Sequence, residues 1–111
     1  MLKMNNSIEA LDFLKLICIK PGIYVQEANF VAVCSFIDGY DLALSGEPLM
    51  GFKAWLKDLY KSETNLPWWG IVRIMSFPDK EPIGAMNSEE SVLALEKLLS
   101  LLEDYENAVR D

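Results

Sequence analysis

The chain has no histidine and only two cysteines among its 111 residues. Without histidine it lacks the usual general base and the commonest transition-metal ligand at neutral pH. No cofactor or metal is expected, because no Gly-rich loop offers a phosphate seat and no cluster of acids has cation-binding spacing. No uninterrupted apolar run approaches the ~20 residues needed to cross a bilayer. Nor does the chain open on a basic-plus-apolar leader, since Met1 to Ser7 is polar and Glu9, Asp12 and Lys15 break the next apolar run. A cytoplasmic protein with no membrane association is therefore expected. Internal repeats and low-complexity tracts are also missing. Bases are scarce: 10 Lys and Arg stand against 17 Asp and Glu, for a net charge of −7.

That charge is unevenly placed. Residues 1–78 carry 7 bases and 8 acids, whereas residues 79–111 carry 3 bases and 9 acids. A near-neutral body with a strongly acidic last third attracts basic surfaces and repels nucleic acid. The apolar content of 51% suits one globular core without disulfides or metals. Cys18 and Cys34 lie on apolar helical stripes and read as reduced, buried thiols. A disulfide between them requires their Cβ atoms to meet. A catalytic thiolate would lack its histidine.

The periodicity predicts a single all-α domain over 1–111, a bundle of four to five helices. Asn6 and Glu9 form a capping-box pattern that opens a helix to about Ile19, where Pro21-Gly22 stops it. Ile23-Tyr24-Val25 reads as a short extended link. Asn29 caps a second helix to about Ser45, with Gly46 as its stop signal. Gly39 within it suggests close approach by another helix or a bulky ring. A third helix spans about Pro48 to Tyr60, with Leu49, Phe52, Leu56 and Leu59 inward and Lys53, Lys57 and Lys61 on a solvated ridge.

Residues 66–77, LPWWGIVRIMSF, hold ten apolar, Pro or Gly residues out of twelve. A buried helix with Pro67 in its first turn is preferred. A strand over Gly70–Phe77, pairing with 23–25, is its rival on Ile and Val content. After a loop over Pro78–Asn87, Ser88 caps a final helix with Glu89 and Glu90 against its N-terminal dipole. Val92, Leu95, Leu98, Leu99, Leu102, Tyr105 and Val109 form its inner stripe, and Glu89, Glu96 and Glu103 stand seven apart outside.

Three groups of residues compete for function. Asp38 and Asp41, at i and i+3, allow acid–base or cation chemistry, but structural pairing of one of them with Arg73 accounts for both better. An unpaired buried guanidinium there would be very costly. Trp68 and Trp69 point about 100° apart on a helix, so they are not expected to share one core pocket: either both rings pack into the core, or one does and the other anchors a partner. The acids Asp79, Glu81, Glu89, Glu96 and Glu103 form either a solubility device or a face steering a basic protein into contact.

Lys20-Pro21-Gly22-Ile23-Tyr24-Val25, then Phe36-Ile37-Asp38-Gly39-Tyr40 with Ala43-Leu44, then Phe52-Lys53-Ala54-Trp55-Leu56, come in a telling order. The arrangement resembles small bacterial immunity proteins that accompany secreted toxins, including those of contact-dependent growth inhibition systems. The resemblance spans about residues 18–105. It implies a non-enzymatic inhibitor that binds a cognate toxin, often a nuclease, through that toxin's basic surface and occludes its active site. It also makes Asp38-Gly39-Tyr40 a packing joint. Toxin-contacting residues vary among such proteins, so none transfers. A non-catalytic regulatory or adaptor domain shares the same features.

Overall fold

Each helix begins and ends where local chemistry or a neighbouring helix decides it. The computed structural model describes residues 2–61, 65–80 and 84–110, with side chains from Glu9 onward. It is all-α: α1 (Leu2–Ile19), α2 (Phe30–Ala43), α3 (Glu47–Tyr60), α4 (Trp68–Ser76) and α5 (Ser88–Arg110), with a 3-10 turn over Pro21–Ile23. The Cα radius of gyration, 13.6 Å, is that of one domain of this length.

The first helix starts earlier than the capping pattern at Asn6 predicts. Leu2, Lys3 and Met4 are good helix formers, and nothing between them and Asn6 breaks the backbone ladder. The expected extended link at 23–25 is instead a turn, in which the Tyr24 and Val25 N–H groups both donate to the Pro21 carbonyl. Asn29 caps α2 as its sequence predicts, its side chain accepting from the Ala32 N–H at 2.8 Å.

The α2–α3 corner is more tightly built than a glycine stop. The Gly46 N–H returns to the Asp41 carbonyl at 2.8 Å and the Ser45 N–H to Leu42 at 3.1 Å, so α2 ends at Ala43. Ser45, with φ of 61°, takes the left-handed position, and Gly46 follows at 78°. Asp41 is buried at the corner. Its Oδ1 accepts from the Leu49 N–H at 2.8 Å, and its Oδ2 lies 3.7 Å from Lys53 Nζ. Asp41 thus helps end α2 through its backbone carbonyl, while its carboxylate satisfies an orphan donor in the first turn of α3 and sits against that helix's positive end.

Residues 68–76 are helical, and no strand occurs among the described residues. Pro67 is the N-cap, with ψ of 162°, and its carbonyl accepts from Gly70 and Ile71. A buried segment must satisfy its own backbone. With no partner strand at 23–25, the helix does so where a strand would not. Ile71 and Val72 then pack into the core among α3 and α5.

The longest helix, α5, touches all four others and is the hub of the bundle. Its cap is Asn87 rather than Ser88. Asn87 Oδ1 accepts from the Glu90 N–H at 2.8 Å while Glu90 Oε1 accepts from the Asn87 N–H at 2.9 Å, a reciprocal capping box. The buried stripe is rotated from the expected one. Ser91, Ala94, Leu95, Leu98, Leu101 and Leu102 face inward, whereas Val92 and Val109 are more than half exposed. Ser91 explains part of this rotation, because its Oγ accepts from the Phe30 N–H at 2.6 Å and so caps α2 from a different helix. Leu59, also expected inside, is exposed.

Gly39 does not mark a close approach. It is exposed, and a Cβ built there meets nothing within 4 Å. Gly39→Ala should therefore raise stability by about 0.5–1 kcal/mol through helix propensity alone, read as a higher denaturation midpoint at unchanged slope.

Candidate functional site

The acids of the last third separate into two sets. Glu90 is paired with Lys80, whose ammonium also lies 5.9 Å from the centre of the Phe77 ring. Glu106 is paired with Lys15 of α1 and, at 2.8 Å, with Arg110. The others stand apart: Asp79, Glu89, Glu96, Glu103 and Asp104 are exposed and have no ionic partner among the described residues. Glu89, Glu96 and Glu103 recur every seven residues, so they drift only about 20° per step and form one row. Glu81, the remaining candidate acid, lies outside the described residues.

The Lys15–Glu106 pair ties the outer ends of α1 and α5. The hydrogen bond from Lys15 holds the Glu106 carboxyl below its usual range against a smaller opposing effect of burial, and the same bond raises Lys15. A lowered carboxyl contributes stability that is present above its unfolded pKa of about 4.3 and is lost as pH falls through the folded value. The raised lysine contributes below about 10.4 and stops contributing as pH rises through its folded value. Glu106→Gln should therefore lower stability by about 0.5–1 kcal/mol at pH 7. The difference between the two proteins should close below pH 4, as measured by urea unfolding across pH.

The second candidate is a groove where α2, α3 and the entry to α4 meet. It is open to solvent, holds about 520 Å³ and is lined by Asp38, Lys53, Ala54, Lys57 and residues 66–69 with Ile71. Trp68 and Trp69 part company here. Trp68 is core, 5% exposed, and its Nε1–H donates to Asp38 Oδ1 at 2.7 Å. Trp69 is half-buried on the groove wall. The Asp38–Trp68 bond joins residues 30 apart, and no local pattern announces it. Lys53 and Lys57 are exposed, as expected of a solvated ridge, and also line this groove.

Asp38, Asp41 and Arg73 do not converge. Asp38 serves Trp68 and Asp41 serves the α2–α3 corner. Arg73 pairs with neither. Its guanidinium donates to the Gly84 carbonyl at 2.8 Å, which ties Gly84 to α4, and its buried Nε has no acceptor among the described residues. The pairing expected from sequence fails because Arg73 faces the connection after α4 while both aspartates face α3 and the start of α4. Cys18 and Cys34 are free thiols, and burial pushes Cys18 up to about 12 and Cys34 higher still. Neither is a thiolate near neutral pH. Among the described residues no group of three or more His, Cys, Asp or Glu side chains is placed to hold a metal ion. No described helix is long and apolar enough to cross a membrane.

No protein-family model matches the chain, and neither does any curated protein or solved structure.

Proposed function

We propose that this chain is a non-catalytic binding protein that holds a basic protein partner against the outer face of α5. The single observation behind this reading is the row of Glu89, Glu96 and Glu103, exposed and without an ionic partner among the described residues, while Glu90 and Glu106 are neutralised internally. Acids kept free of the chain's own bases preserve their field for another molecule, where it raises the rate of productive encounter. The resemblance to immunity proteins gives that partner a definite form, a cognate toxin carrying a nuclease domain. A nuclease needs a basic cleft to hold phosphates, and an acidic surface competes for that cleft. Inhibition by occlusion asks nothing of this chain beyond shape and charge, and it would act in the cytoplasm of the toxin-producing cell. Asp79 extends the acidic row on the approach to α5, and Trp69 contributes apolar contact at an interface that reaches α4.

The test compares two immobilised baits, the wild-type chain and Glu96→Lys/Glu103→Lys, in extract of the native cell. A basic toxin domain held in a one-to-one complex by the first and lost from the second is the expected result. Equal retention of the same partner by both would place the interface elsewhere. Failure of the purified chain to block that toxin's activity would remove the immunity reading and leave an adaptor.

A further inference from the structure

The groove between α2, α3 and α4 has a charge unlike the rest of the molecule. Among the described residues, two ammonium groups and one carboxylate line it, in a chain whose net charge is −7. Its volume, about 520 Å³, is that of a small-ligand site. The carboxylate does not swing freely, because the buried Trp68 indole holds Asp38 Oδ1 from beneath. A polar group oriented by a buried neighbour is what a binding site requires. Lys53 is steadied by Asp41, and Lys57, one turn further along α3, has no ionic partner among the described residues. Beside these charges Pro67, Trp69 and Ile71 supply an apolar wall.

Three features of a ligand answer these three features of the groove. A carboxylate pairs with the two ammonium groups. An N–H donor next to that carboxylate pairs with the Asp38 carboxylate. An apolar side chain covers the Trp69 ring and its aliphatic neighbours. A phosphomonoester fits worse, since Asp38 repels a dianion whose phosphate oxygens offer no donor. We propose that this groove binds the carboxylate end of an apolar amino acid, either free or as the last residue of a polypeptide. Among the described residues none of α5 lines it, so the site is tested apart from the row of glutamates, with Trp69 the one residue shared with the proposed interface.

The three indole N–H signals in a ¹⁵N spectrum test this directly. Trp68 and Trp69 line the groove, whereas Trp55 stacks on Phe52 and lies against Tyr105, which makes it an internal control. The probes are L-phenylalanine, the tetrapeptide Ala-Ala-Ala-Phe and the C-terminal amide of that peptide. Saturable movement of the Trp68 and Trp69 signals with Trp55 still is the expected result. The amide should bind about tenfold more weakly than the acid, because it forfeits charge-assisted bonds. Lys57→Gln, at an exposed position that leaves the fold intact, should weaken the acid about fivefold. Tighter binding of phenylalanine identifies a free amino acid as the ligand, and tighter binding of the tetrapeptide identifies a polypeptide end. The proposal is overturned if neither acid gives a saturable shift up to about 10 mM, if amide and acid bind alike, or if Trp55 moves as far as the other two.

Discussion

Gly51→Ala is expected to destabilise the fold by about 1–3 kcal/mol, although alanine is the better helix former by roughly 1 kcal/mol. A Cβ at Gly51 would lie 2.0 Å from the Tyr105 hydroxyl and 3.2 Å from its Cζ. Tyr105 has little room to withdraw. Its ring meets Phe52 edge-on at 5.6 Å and lies 5.7 Å from Trp55, which itself stacks on Phe52. Displacing the ring would loosen contacts each worth about 0.5–1.5 kcal/mol beyond their area, around a phenylalanine that is fully buried. The cause can be isolated. Tyr105→Phe removes the atom at 2.0 Å and leaves the ring, so Gly51→Ala in that background should cost less than half as much. Chemical denaturation of the four proteins gives the coupling energy. A value near zero would show that the alanine is accommodated by a shift of α3, with the hydroxyl irrelevant.

Gly51 also shows why some contacts are invisible in the sequence. Both Gly39 and Gly51 sit inside helices, and the chain gives no local reason to prefer one as the crossing point. The choice depends on Tyr105, more than fifty residues away. Helix ends were far more legible, because they are decided within a few residues. Asn29 and the Pro21-Gly22 stop act as their local chemistry requires, and the all-α class follows from apolar periodicity. The rotation of α5 was ambiguous because leucines occupy 93, 95, 98, 99, 101 and 102, so neighbouring faces look equally apolar. The capture of the Phe30 N–H by Ser91 helps set it. The same limit applies to the groove. Asp38, Lys53, Lys57 and the tryptophans were each conspicuous alone, yet their meeting depends on how α2, α3 and α4 pack. The acidic row was visible from spacing because it belongs to one helix, but which of its acids are internally paired was not.

Reversal of two charges in that row is expected to have the larger functional effect. Glu96→Lys/Glu103→Lys makes the molecule four charge units more positive and places both changes on the face proposed to meet a basic partner. Steered association gains about 10–10³-fold from such fields at low ionic strength, so the variant's on-rate should fall at least about tenfold. The off-rate should move less, because charges at an exposed rim contribute little once water is excluded from the centre of an interface. Salt supplies the internal control. As the screening length contracts from about 10 Å at 0.1 M to about 3 Å at 1 M, the two on-rates should converge. Glu106→Gln supplies a second. Glu106 is already matched by Lys15 and Arg110, so removing its charge should change association far less than the reversal does, despite lying on the same helix. Folding stability of the double variant should stay within about 0.5 kcal/mol of wild type, since both side chains are exposed and have no ionic partner among the described residues. Stopped-flow association with the captured partner across a salt series measures all of this. If reversal leaves the on-rate unchanged at low salt while Glu106→Gln slows it, the paired end of α5 carries the contact and the free row serves solubility.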